Sequence, residues 1–220
     1  FTQANVDTET YAIFGDLTYD LTDRLSLSLG GRYTWDERSA EILRQNYLGG
    51  GSPEFGGAGV PFGAASTDFQ GSRQFKKFTP RASLSFMPTP DHNIYASYSK
   101  GFKGGGFDPR GVGTNAPAAT PGAPTDAEVA AFLSFAPEEV DSYEIGYKGN
   151  LGIFNIAAAA FYADYTDVQI PGSVACEVGG LPSFCGVVSN AGKATFKGLE
   201  LEASARFGGG FGLAGSLGYI

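Results

Sequence analysis

From Leu25 to Asp36 the chain alternates almost residue by residue. Leu25, Leu27, Leu29, Tyr33 and Trp35 fall on one parity; Ser26, Ser28, Gly30, Arg32, Thr34 and Asp36 fall on the other. Successive side chains of a β-strand point to opposite faces, so a period of two describes a strand with one apolar and one polar face. A helix cannot sort these residues, because its faces recur at three and four positions rather than two. The apolar parity must be kept from water. That demand narrows the fold to sheets that pack on something or stand in lipid.

Seven further segments carry the pattern. Tyr11, Ile13, Leu17 and Tyr19 alternate with Ala12, Phe14, Asp16 and Thr18, and Phe78, Pro80, Ala82, Leu84 and Phe86 with Thr79, Arg81, Ser83 and Ser85. Ile94, Ala96 and Tyr98 follow, then Tyr143, Ile145 and Tyr147 against Ser142, Glu144, Gly146 and Lys148. Leu199, Leu201, Ala203 and Ala205 oppose Glu200, Glu202, Ser204 and Arg206; Phe211, Leu213, Leu217 and Tyr219 oppose Gly212, Ala214, Ser216 and Gly218. The segment from Phe154 to Gln169 leaves its faces open, since Ala157 to Ala160 suit either side. Pro80 lacks a donor and is expected where no ladder bond is missed, such as a strand's outer end. About eight antiparallel strands result, an all-β reading.

Composition removes the competitors. Glycine supplies 33 of 220 residues, and it is the costliest helix former after proline, which disfavours bundles and coiled coils. With 42% apolar and 14% aromatic residues the chain can bury too much surface to stay disordered. A net charge of −8 offers no basic footprint for nucleic acid. The longest apolar stretch, Ile156 to Ala163, is far too short for a membrane helix.

The connections alternate in length. Short turns fall near residues 20–24, 87–92, 149–152 and 207–210, and long connections near 39–76, 104–138 and 170–190. Hairpin loops of a soluble sandwich are short at both ends, whereas outer-membrane barrels carry short turns on the periplasmic rim and long loops outside. Aromatic residues gather near the strand ends on the apolar parity: Tyr11, Tyr33, Trp35, Phe78 and Phe102 toward the long connections, and Tyr19, Phe86 and Tyr147 toward the short ones. Such girdles mark the two membrane–water interfaces. The expected fold is therefore an antiparallel transmembrane β-barrel segment. Leu25, Leu27, Leu29, Leu84, Ile145, Leu199, Leu201, Leu213 and Leu217 are expected to face lipid, and Arg32, Arg81, Glu144, Lys148, Glu200, Glu202 and Arg206 the lumen. A large soluble all-β domain with core aromatics is the competing reading.

Residues of catalytic type are sparse. The single histidine, His92, reads as a solvated turn residue. Cys176 and Cys185 share the third long connection, where a loop disulfide is expected, with free thiols as the alternative. Gly104-Gly105-Gly106 lacks the lysine and hydroxyl of a phosphate-binding loop and reads as loop flexibility. Asp164 with Asp167, and Glu200 with Glu202, lack the partners across a cleft that a glycosidase needs. Thr125 and Glu128 have the spacing of a capping box, and Val129, Phe132 and Leu133 follow at helical intervals, so a short helix is expected there. It would cap a vestibule or pack against neighbouring loops. No enzyme activity, cofactor or metal site is expected.

Seven stretches, taken in order, resemble the barrel of TonB-dependent outer-membrane receptors. They are Tyr11-Ala-Ile-Phe-Gly-Asp-Leu-Thr-Tyr19, Leu29-Gly-Gly-Arg-Tyr-Thr34, Phe78-Thr-Pro-Arg81, the run from Tyr95 to Phe107, the run from Pro137 to Lys148, Phe161 to Gln169, and Asn190 to Glu202. The resemblance implies a 22-stranded barrel in the outer membrane around a plug domain, with TonB engaged through an N-terminal box. It also implies active uptake of a scarce, bulky nutrient such as a siderophore–iron complex, with lipid, TonB and an extracellular ligand as partners. Residues 1–220 are then expected to be part of a single barrel domain, an internal piece lacking the plug, the TonB box and the barrel termini. Eight segments fall short of twenty-two, and the last stops at Ile220 without a terminal aromatic. The alternative is a small eight-stranded outer-membrane barrel with an adhesive or structural role, since eight strands can close. A barrel enzyme would need a Ser/His or two-carboxylate site at the loop rim, and the one histidine lies at the other rim. The loops are rich in Gly, Phe and Pro and show no preference for an anionic or a cationic ligand.

The alternation yields a direct test. Leu27→Arg places a cation on the lipid face, where it costs about 2–4 kcal/mol at the midplane, while Ser28→Arg is tolerated in the lumen. Insertion and unfolding of both variants of the full-length protein check this; equal behaviour refutes the parity.

Overall fold

The computed structural model describes residues 1–49 and 59–220. Its strands are β1 (Thr2–Thr22), β2 (Leu25–Leu48), β3 (Val60–Thr89), β4 (His92–Lys103), β5 (Gly106–Phe107), β6 (Ser134–Phe135), β7 (Glu138–Leu151), β8 (Phe154–Thr166), β9 (Gln169–Val178), β10 (Leu181–Asn190), β11 (Lys193–Arg206) and β12 (Gly212–Tyr219), with one helix, α1 (Asp126–Leu133). Eight of them form one antiparallel sheet in the order β1-β2-β3-β4-β7-β8-β11-β12, and these are the eight segments the alternation marks. β5 pairs with β6 and β9 with β10, making two small sheets within the long connections.

Register ties the alternating patterns into two faces. Residues paired across a ladder share a face, and one row runs through the whole sheet: Tyr19, Leu27, Leu84, Ala96, Ile145, Ala160, Leu199 and Tyr219. All nine residues expected to face lipid lie on the face of this row; all seven expected in the lumen lie on the other. The same ladders fix the segment whose parity the sequence leaves open. Phe154, Ile156, Ala158, Ala160 and Tyr162 join the apolar face. That face is bare, with Ile145 57%, Leu199 59% and Leu217 69% exposed. Apolar surface of this extent belongs against something other than water. Its aromatic residues form a belt toward the long connections, where Tyr98, Tyr143 and Tyr162 stand in one row with ring centres 5.1 and 6.4 Å apart.

Five local expectations change. The first long connection is mostly sheet: β2 runs for 24 residues and β3 for 30, so the hairpin rises far beyond the aromatic belt, and only its part over 50–58 lies outside the described residues. The third long connection is likewise the β9/β10 hairpin. Pro80 sits in mid-strand, not at an end; β3 pairs with β4 only from Arg81 onward, so at Pro80 the strand has β2 alone beside it. The Gly104–Gly106 run reflects close packing rather than looseness. A Cβ on Gly104 would meet the Asp36 carboxylate, on Gly105 the carbonyl of Phe135 and the ring of Phe75, and on Gly106 the ring of Phe135. His92 is also more than a turn residue: it opens β4, half-buried, with its Nδ1 2.7 Å from the Tyr147 hydroxyl.

On the polar face Gly30 lies between Asp16 and Arg81 in a single row, and the Arg81 guanidinium crosses it to reach Asp16 Oδ1 at 2.6 Å. A Cβ on Gly30 would strike both partners. Gly30→Ala is therefore expected to cost about what this exposed ion pair contributes, less than about 1 kcal/mol, and to cost nothing further once Asp16 is Ser. Denaturant unfolding of the full-length protein in detergent measures the cycle; an equal cost in both backgrounds refutes the role of the glycine.

Candidate functional site

The polar face of the sheet changes character along the strands. Near the short turns it is lined by Asn93, Lys148, Asn155, Glu202, Ser204 and Ser216, around a cavity of about 740 Å³. One step further Tyr95 lies over Gly146, where a Cβ would collide with its ring, and its hydroxyl donates to Glu144 Oε1 at 2.7 Å. The Lys148 ammonium stands 5.7 Å from the centre of the same ring. Glu144, Lys148 and Tyr95 therefore act as a unit, a cation–π contact and a charge-assisted hydrogen bond sharing one ring. Glu200, Glu202 and Arg206 continue this face on β11 without meeting that unit in a salt bridge.

Toward the long connections β3 parts from β4 above the Arg81–Ser99 pair, while β4 stays with β7 up to Lys103. Side chains stitch the opening. Lys77 of β3 pairs with Glu139 of β7, Lys100 Nζ lies 2.8 Å from Glu139 and 3.8 Å from Asp141, and Tyr98 donates to Asp141 at 2.6 Å. Next to it, Asp36 is buried and held by the Arg38 guanidinium at 3.0 Å and the Thr10 hydroxyl at 2.8 Å. None of these carboxylates stood out in the sequence. Alternation shows their parity, but Glu139 and Asp141 find their partners on other strands, and only Asp36 has its cation, Arg38, close by on its own strand.

Above this level the polar face turns apolar, and the chain builds its one buried cluster there among the described residues. Ala40, Ile42 and Phe69 of the β2/β3 hairpin pack against Phe107 and Leu133, with Val129, Ala130 and Phe132 alongside. The helix expected from Thr125 and Glu128 is present: α1 has Thr125 as N-cap in a full capping box, and it packs against the neighbouring loops. Glu128 also accepts from the amides of Thr125 at 2.7 Å and Ala119 at 2.6 Å. The Thr125 amide first, then the Ala119 amide and the Thr125 hydroxyl, hold its carboxyl below the usual carboxylate range. The β9/β10 hairpin docks on the same canopy through Asn115, whose amide donates to the Glu177 carbonyl at 2.8 Å and accepts from the Glu177 amide at 3.1 Å. Asn190 and Gln169 fasten its base, each donating to the Ala136 carbonyl.

Cys176 and Cys185 face each other across this hairpin as a disulfide with Cα atoms 5.8 Å apart, and Cys185 is buried. Closing so short a loop stabilises it by roughly 2–3 kcal/mol through the unfolded chain's lost entropy. On intact cells, unreduced protein should resist thiol labelling at both positions and react at both after mild reduction. Quantitative labelling without reductant refutes the bridge.

The model of the family described as TonB dependent receptor-like, beta-barrel matches residues 1–220. The pesticin receptor of Yersinia enterocolitica is 30% identical over 204 residues, which is 92% of this chain and 24% of that protein, and the pesticin receptor of Yersinia pestis is 30% identical over 203. The chain thus spans about a quarter of the length of the curated relatives it matches. Among solved structures, the ferric yersiniabactin uptake receptor FyuA of Yersinia pestis superposes with a TM-score of 0.67 at 25% identity, over 99% of this chain and 27% of its own. The ferric-catecholate import receptor Fiu of E. coli K12 shares the fold, with a TM-score of 0.60 at 19% identity over 98% of this chain and 28% of its own. The antiparallel sheet with one apolar and one polar face superposes on these receptors, and the chain belongs to the TonB-dependent receptor family, within its β-barrel.

Proposed function

We propose that this chain forms part of the wall of an outer-membrane receptor that takes up a scarce iron complex of the siderophore type, driven by TonB. In this reading residues 1–220 belong to one barrel domain, whose remaining strands and plug are supplied elsewhere in the full protein. The apolar face lies against lipid and the polar face lines the lumen. The canopy of β2/β3, α1 and β9/β10 stands outside the cell and meets the ligand first, and the receptor does no bond chemistry.

One observation carries the reading: the polar face is continuous from the short turns to the canopy. A chain meant only to anchor an adhesin or brace the envelope has no need of a charged inner wall that meets a folded loop assembly at its mouth. The names of its relatives point the same way, since FyuA is an uptake receptor for ferric yersiniabactin and Fiu an import receptor for ferric catecholates. Family membership supports TonB as the energy source.

The test is deletion of the gene in its host, followed by growth under iron limitation on a panel of ferric siderophores. The mutant should lose growth on at least one complex, and loss of TonB should reproduce that defect. Growth unchanged on every complex, or uptake that persists without TonB, overturns the proposal.

A further inference from the structure

We propose that the apolar face of β8 carries a binding site for a phosphorylated lipid of the outer leaflet, with an acyl chain laid along Ala158 and Ala160 and the headgroup phosphates held by Lys197 and Lys193. The inference rests on the orientation given above, with the canopy outside the cell.

The apolar side of a barrel wall is convex, so a hollow on it has to be cut by the side chains themselves. One is present. Ala158 and Ala160 form its floor, between Ile145 and Tyr147 of β7 and Leu199 and Leu201 of β11. With Ile94, Leu217 and Tyr219 extending the sides, the groove encloses about 620 Å³. Its walls stand on strands two spacings apart, about 10 Å. Alanine is depleted in strands, and on a lipid-facing position it removes far less apolar surface from water than leucine would. Two outward alanines between taller neighbours therefore leave room for a hydrocarbon chain instead of filling it.

The end of the groove toward the long connections carries cations. Tyr162 marks that end, and Lys197 stands opposite Tyr162 in the β8–β11 ladder; Thr195 and Lys193 follow on the same face, opposite Asp164 and Thr166. Both lysines are exposed, and among the described residues neither forms an ion pair or a side-chain hydrogen bond. Asp164 lies between them across the ladder and accepts from the Thr195 hydroxyl at 3.4 Å. Asp141, opposite Asp164 on β7, is engaged by Tyr98 and Lys100. Lysine stems lie along apolar surface while their ammonium groups reach the interface, where they attract anionic headgroups. Lys193 and Lys197 are four residues apart, about 13 Å along the strand, which suits a headgroup with more than one phosphate. An apolar groove ending at unmatched cations, level with the aromatic belt, is complementary to an amphiphile with an anionic head.

Native mass spectrometry of the purified full-length receptor in detergent tests the site, with bisphosphorylated lipid A as probe and its dephosphorylated form as control. Wild type should bind the phosphorylated form about tenfold more tightly, and Lys193→Gln with Lys197→Gln should abolish that preference. Ala160→Phe fills the groove with a residue lipid tolerates and should weaken both forms about fivefold, whereas Asp164→Asn, which removes a repelling carboxylate, should tighten only the phosphorylated one. The site is refuted if wild type does not discriminate the two forms, or if the double variant or Ala160→Phe binds within about twofold of wild type. It is equally refuted if the double variant lowers the melting temperature and keeps its lipid affinity, which assigns the lysines to Asp164, or if Ala160→Phe breaks up a dimer and leaves lipid binding unchanged, which assigns the groove to a second copy. Orientation is read separately, by labelling Cys176 and Cys185 on intact cells after mild reduction. Lipid binding in the expected order with a canopy that does not label leaves the groove standing and discards the orientation.

Discussion

The antiparallel hydrogen-bond ladder is the constraint on which everything else in this molecule depends. A wall one strand thick has no second layer to satisfy its backbone, so every amide and carbonyl in lipid must find its partner in the neighbouring strand. Once the ladder is set, the pleat leaves each side chain only two directions, and a slip of one residue would turn the apolar row from Tyr19 to Tyr219 toward the lumen. Sequence alternation is the chemical consequence. Glycines such as Gly30 and Gly146 are the steric one, kept small where a neighbouring side chain must cross the strand to reach its partner.

The hydrophobic core of the chain sits outside the wall. Within the sheet neither face is covered by another layer of this chain, and the large apolar residues stay exposed on the apolar face. Burial of the ordinary kind occurs only in the canopy, where Ile42, Phe69, Phe107 and Leu133 shut out water. Two solvents therefore divide the molecule. Lipid stabilises the wall without needing packed side chains, whereas the loops must fold as a small water-soluble assembly, helped by a helix cap, a disulfide and reciprocal asparagine bonds. That division explains why the loops are held by many polar contacts, while the wall rests first on register, with side-chain bridges such as Arg81–Asp16 and Tyr95–Glu144 added to it.

The notch between β3 and β4 joins the two regimes. Splitting a ladder exposes backbone groups, and the sheet answers with Lys77, Lys100, Glu139 and Asp141 rather than with more strand. The same split lets residues 104–107 cross inward over Asp36 and Phe75, which is why those positions are glycine up to Phe107.

Much of this was legible in the sequence. The eight strands, their apolar and polar parities, the short turns on one rim, the capping box at Thr125 and the pairing of Cys176 with Cys185 are all local in origin. Each depends on side-chain period, a fixed spacing or a short loop. The long connections read as loops because strands beyond the aromatic belt keep no strict alternation once both faces see water and protein. The glycines at 104–106 read as looseness because what crowds them lies far away in the chain. Parity in β8 was undecidable from alanine alone, and only pairing with Tyr143, Ile145 and Tyr147 resolved it. The sequence by itself determined which residues share a strand face, since that follows from a period of two. The tertiary structure alone decided which charges meet and which stay free: Arg81 finds Asp16 across 65 residues and Lys77 finds Glu139 across 62, leaving Arg32 unmatched. Register between strands so far apart is set by the cooperative ladder, and no local pattern encodes it.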